Sequence, residues 1–64
     1  MVRINGEDLD VSGKSVAEYL NLTGYDLMRV AVELNGNIVP KARYADIVFK
    51  DGDSVEVVRF VGGG

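Results

Sequence analysis

The sequence predicts an α+β fold, a mixed sheet of four to five strands with one main helix packed across one face. Three observations predict it. Two dipeptides, Asn5-Gly6 and Asn35-Gly36, each sit between short runs of alternating apolar residues, which is the strongest short-range hairpin signal. A capping-box pattern, Ser15-Val16-Ala17-Glu18, opens one short helix. A last alternating run, Ser54 to Phe60, follows the turn Asp51-Gly52-Asp53.

Taken in order, Val2-Arg3-Ile4 alternates apolar and polar, and Leu9 and Val11 resume the alternation, so residues 1–11 form a β-hairpin. The helix begins at Ser15, whose hydroxyl accepts from the backbone three residues on while Glu18 reaches back. Val16, Tyr19 and Leu20 share one face, and Gly24 after Thr23 can adopt the left-handed conformation that ends a helix of about two turns. Residues 25–34 carry both periods. Leu27, Val30, Ala31 and Leu34 have helical spacing, whereas Val30, Val32 and Leu34 alternate, and the β-branched content favours a strand from about Arg29. Asn35-Gly36 turns that strand into Ile38-Val39, and Pro40, lacking a backbone donor, ends it. Residues 42–45 make one helical turn or an irregular link, and residues 47–49 a brief edge contact.

This order, ββαββ with a long final strand, packs economically in one way. The last strand lies centrally and parallel to the first, because the intervening elements supply the crossover that parallel pairing needs. That is a β-grasp, or ubiquitin-like, arrangement. The expected core is Val2, Ile4, Leu9, Val11, Val16, Leu20, Leu27, Val30, Val32, Leu34, Val55 and Val57. Residues 1–60 make the domain and residues 61–64 a flexible glycine tail; no repeat or linker marks a second domain.

Composition narrows the function. A chain of 64 residues is one small domain that buries about 60% of its unfolded surface. No apolar run approaches the ~20 residues that span a bilayer, and the first strand starts directly after Met1, so a cytoplasmic location without membrane contact is expected. A net charge of −3 with seven scattered Lys and Arg disfavours nucleic acid and favours a basic partner surface. With no cysteine and no histidine, the commonest nucleophile, general base and metal ligands are missing. No catalytic residue and no metal site are expected; turn chemistry accounts for Asp51 and Asp53. Chemistry must occur at a carboxylate, an amine or a terminus.

The end of the chain, Phe60-Val61-Gly62-Gly63-Gly64, is the candidate site. Glycines have no side-chain area to bury and lose the most backbone freedom on ordering. Residues 61–64 can instead reach, by roughly 13 Å when extended, through a channel too narrow for side chains. A frayed terminus is the plain alternative. Just before the tail, Val55 and Val57 fall on one sheet face and Glu56, Val58 and Phe60 on the other. Either a β-bulge or a loop brings Val58 and Phe60 inside, or they form an exposed apolar patch where a partner docks.

Ala31-Val32-Glu33-Leu34-Asn35-Gly36-Asn37-Ile38-Val39-Pro40-Lys41, Tyr44, Asp51-Gly52-Asp53 and the run Val55-Glu56-Val57-Val58 leading to Val61-Gly62-Gly63-Gly64 resemble the ThiS family, the sulfur carriers of thiamine biosynthesis. The resemblance covers nearly the whole chain, and residues 23–29 carry no matching signature. Terminal glycines are shared with ubiquitin-like modifiers and with the small subunit of molybdopterin synthase. The short length, the Asn-x-x-Ile-Val-Pro segment and the Gly-Asp turn favour the thiamine branch, as does the absence of proline near the terminal glycines.

The resemblance implies that Gly64 is adenylated by a ThiF-like adenylating enzyme using ATP and magnesium, neither of which the carrier binds itself. A cysteine-persulfide sulfur donor then converts the terminus to a thiocarboxylate, which gives its sulfur to thiazole synthase. Gly62 and Gly63 would thread the partners' channels, Val58 and Phe60 would dock, and the carrier would be a monomer when free. Covalent protein modification, a molybdopterin-type carrier, or a bare interaction domain remain the alternatives.

Overall fold

The computed structural model describes residues 1–60. Five strands form one sheet: β1 (Val2–Ile4), β2 (Glu7–Leu9), β3 (Val30–Leu34), β4 (Asn37–Ile38) and β5 (Ser54–Arg59). Their spatial order is β2-β1-β5-β3-β4, with β5 central, parallel to β1 and antiparallel to β3. Helix α1 (Val16–Leu22) covers one face with Val16, Tyr19 and Leu20. These are the expected β-grasp elements in the expected order.

Local chemistry places each element. In the two hairpin turns Asn5 and Asn35 take φ of 52° and 51°, followed by Gly6 at 84° and Gly36 at 86°, the paired positive angles that suit the right-handed twist of the flanking strands. Both asparagines also clasp β5. The Asn5 side chain accepts from the Val57 amide at 2.8 Å and donates to the Val57 carbonyl at 3.2 Å, extending the pairing beyond β1. Asn35 Oδ1 accepts from the Ser54 amide at 2.8 Å, and its Nδ2 donates to Asp53 at 3.0 Å. The central strand is therefore held at both hairpins by side chains as well as by backbone. At the helix start both halves of the capping box form: Glu18 N donates to Ser15 Oγ at 3.1 Å and Ser15 N to Glu18 Oε1 at 3.0 Å.

The core departs from expectation at its rim. Leu9, Val11, Leu27 and Leu34 are only partly buried and pack around the edge, whereas Tyr19, Val39, Tyr44 and Phe49 are buried with the expected valines, Ile4 and Leu20. The reason is the segment after Pro40. A 3₁₀ turn, Lys41–Arg43, and the stretch to Phe49 run under the helix start, where Ala17 N donates to the Tyr44 carbonyl and Val16 N to the Ile47 carbonyl, both at 2.9 Å. Helix donors without intrahelical partners are thereby satisfied. Phe49, 1% exposed, meets Tyr19 edge to face with ring centroids 5.9 Å apart. Three boundaries also shift: β2 stops at Leu9, β4 is Asn37–Ile38 rather than Ile38-Val39, and β5 ends at Arg59 before Phe60. Val39 nevertheless donates its amide to the Val32 carbonyl at 2.9 Å and turns into the core.

Candidate functional site

The strands of β5 and β3 pair one to one, from Val30 with Arg59 to Leu34 with Val55, so no bulge interrupts the alternation along this stretch. Val55 and Val57 face the helix and are 2% and 7% exposed; Val58 and Phe60 are 53% and 55% exposed. Neither a bulge nor a loop brings this pair inside, and both side chains are exposed. Sequence parity, set by the Asn35-Gly36 register, also carries Ile38 to this side, where it is largely exposed beside Glu33, its partner in the ladder. Ala31, Glu33, Ile38, Glu56 and Val58 line a shallow depression of about 70 Å³ on the uncovered face. Ile38 is the member left in a strand without being assigned to the patch, although pairing it with Glu33 across the Asn35-Gly36 turn would have found it.

The patch is acidic as well as apolar. Glu33 and Glu56 stand directly opposite each other on β3 and β5, an arrangement of like charges that weakens a strand pair and attracts a cation from outside. On β1 and β2 the same face carries Arg3 and Asp8, whose ion pair at 3.1 Å holds the Asp8 carboxyl below the usual carboxylate range, chiefly through the hydrogen bond from Arg3. The face thus offers apolar contact at Val58, Phe60 and Ile38 and negative charge at Glu33 and Glu56. That combination fits a partner with apolar and basic groups.

At the end of β5 the chain is tied to the segment before β3. Phe60 donates its amide to the Arg29 carbonyl at 2.8 Å, and the Arg59 guanidinium lies over the Tyr25 ring, 4.9 Å from its centroid. Gly62, Gly63 and Gly64 lie outside the described residues. At the opposite end of the sheet Asp51 accepts from Ser12 and from the Met1 amine, and Asp53 accepts from Asn35 and from the Lys50 amide. Both carboxylates serve the turn. Among the described residues no three or more acidic side chains are grouped to hold a metal ion, and no helix is long and apolar enough to cross a membrane.

Comparison with known proteins agrees with this geometry. The family model of the ThiS family matches residues 2–64. The sulfur carrier protein ThiS of Thermus thermophilus is 41% identical over 64 residues, which cover the whole of both chains. A thiazole synthase of Paramagnetospirillum magneticum is 47% identical over 62 residues; the match takes in 95% of this chain but only 19% of that protein. Among solved structures, a thiamine biosynthesis protein, ThiS, of Geobacter metallireducens superposes with a TM-score of 0.76 at 34% identity, over 98% of this chain and 97% of that one. The likeness runs from the first strand through the terminal glycines and joins the exposed row on β5 to the tail that follows it, and this chain belongs to the ThiS family.

Proposed function

We propose that the sulfur conveyed by this ThiS-family carrier of thiamine biosynthesis is held on Gly64 as a thiocarboxylate. The observation that supports the reading best is the exposed pair Val58 and Phe60, which only Val61 separates in sequence from three glycines. A rigid apolar surface supplies binding energy and a terminus without side chains supplies access. Ordering each residue of a tail costs roughly 1–2 kcal/mol, so a tail alone would bind weakly, and docking of the domain offsets that cost.

The chemistry follows from the terminus. A carboxylate with a reference pKa of about 3.3–3.7 is ionised at neutral pH and is a poor electrophile. An adenylating enzyme of the ThiF type, using ATP and magnesium, joins the Gly64 carboxylate to AMP and releases pyrophosphate. The outer sulfur of a cysteine persulfide then attacks the carbonyl and AMP leaves; cleavage of the remaining S–S bond by a thiol frees the thiocarboxylate. Gly62 and Gly63 pass the partner's channel, and no side chain at Gly64 hinders attack. The absence of cysteine keeps the imported sulfur from a thiol of the carrier itself. In this scheme the chain is a co-substrate, monomeric between encounters and cytoplasmic, and catalysis belongs to its partners.

Thiazole synthase is the proposed acceptor. The match to part of a thiazole synthase supports the pairing, because a carrier-like segment and a synthase occur there in one polypeptide. The test is the intact mass of the protein after incubation with its adenylating enzyme, ATP and a persulfide donor. One oxygen-to-sulfur exchange, mapped to the C-terminal peptide, is expected; an unchanged mass with an enzyme shown to be active would sink the proposal.

A further inference from the structure

The segment that the sequence left without a signature, residues 23–29, touches the chain where it leaves the sheet. Two tethers run from it to the end of β5: the Arg29 carbonyl holds the Phe60 amide at 2.8 Å, and the Tyr25 ring holds the Arg59 guanidinium at 4.9 Å. The segment is itself braced. Gly24 takes φ +81°, Tyr25 donates its amide to the Leu20 carbonyl of α1 at 3.0 Å, and Asp26 caps the 3₁₀ turn Leu27–Arg29 by accepting from the Met28 amide at 2.9 Å. Asp26 also pairs with Arg29 at 3.6 Å. Beyond Phe60 and Val61 only glycines follow, and these carry no side chain by which a bearing could be set.

We propose that Tyr25 is a positioning residue for delivery of the C-terminal carboxylate, acting through the stacked Arg59 to fix the direction in which the chain leaves the sheet. The inference rests on the carrier reading above. Its force is that of a lever: residues 61–64 span roughly 13 Å when drawn out, so a swing of ~20° at Phe60 moves the far end by roughly 5 Å. Reacting atoms must come within about 3–3.5 Å of each other, so such a swing takes a docked carrier out of the productive geometry. Docking through the uncovered sheet face is kept, since Arg59 and Tyr25 lie on the side of the helix and the Phe60 amide stays tied to the Arg29 carbonyl.

The two roles separate in steady-state kinetics of adenylation, followed by ATP–pyrophosphate exchange with the carrier as varied substrate. A misdirected tail leaves the docked complex formed but less often productive, which lowers kcat and leaves KM unchanged. Partial unfolding of a carrier does the opposite, because it reduces the concentration of competent substrate and raises KM. Tyr25→Leu keeps an apolar side chain against the core and removes the ring; it is expected to lower kcat about two- to fivefold, the scale of one exposed cation–π contact. Arg59→Met is expected to do the same, the double variant to lose no more than either alone, and Tyr25→Phe to retain wild-type kcat. The stack is checked in the carrier alone by the ring-current shift of the Arg59 side-chain protons, expected in wild type and absent in Tyr25→Leu. Unchanged kcat in Tyr25→Leu, a raised KM as its sole effect, or no ring-current shift in wild type would overturn the inference while the carrier reading stands. Failure of wild type to undergo adenylation would overturn both.

Discussion

The two faces of the sheet are made by the same strands from neighbouring residues, yet their surroundings differ. Along β5 and the residue that follows it, Val55 and Val57 are 2% and 7% exposed under the helix, while Val58 and Phe60 on the other side are more than half exposed. Single-residue parity divides the strand into a side buried in the core and a side left open to solvent, the side we propose for docking. In so small a domain this economy matters, because little apolar surface can be spared from the core.

Breaking the covered side is expected to have the largest effect. Phe49→Ala removes the most voluminous of the fully buried side chains and its edge contact with Tyr19, at a cost of about 3–5 kcal/mol. That loss rivals the whole stability of a domain this size, and a thermal melt should show a chain largely unfolded near room temperature. The reach of the chain comes next. Gly63→Val is expected to leave the melt unchanged and reduce adenylation turnover by roughly 100-fold, since small misplacements at a reacting centre have effects of that order.

Reversing charge on the uncovered face should move stability and function in opposite directions. Glu33→Lys turns the Glu33–Glu56 repulsion into a cross-strand ion pair, which should stabilise the fold by about 0.2–1 kcal/mol in urea unfolding. The same change should raise the KM for a basic partner and weaken its dependence on salt. A rise in both stability and affinity would remove the acidic patch from the docking account. The smallest effect belongs to Arg3 and Asp8. Because Asp8 is held below the usual carboxylate range in the fold, its contribution is present above the unfolded value of about 3.9 and is lost as pH falls through the folded one. Asp8→Asn should therefore narrow the stability gap to wild type at acid pH, as read from melts taken between neutral and acidic buffer.

Most of the architecture was legible because local signals agreed with one another. Asn5-Gly6, Asn35-Gly36 and the capping box at Ser15 each stood where the chain turned or began a helix. The aromatic core was not legible. Tyr44 and Phe49 lie in a segment with neither helical nor strand period, and their burial comes from hydrogen bonds to the helix start, a tertiary contact that periodicity does not encode. Tyr19 was placed on the right helix face, but its long side chain reaches Phe49 across the core and becomes part of it. At the site, alternation showed that Val58 and Phe60 share a face but could not show whether anything covers it. The stack of Arg59 on Tyr25 joins residues far apart in sequence and left no local trace.

The comparison of the two faces is tested most directly by Phe60→Ala in steady-state adenylation, with a thermal melt of the same sample. Burial of this ring against a partner contributes on the order of 1.5–3 kcal/mol, so KM should rise at least roughly tenfold while kcat and the melting temperature stay near wild type. An unchanged KM, or a melting temperature that falls with it, would contradict the assignment of the uncovered face to docking.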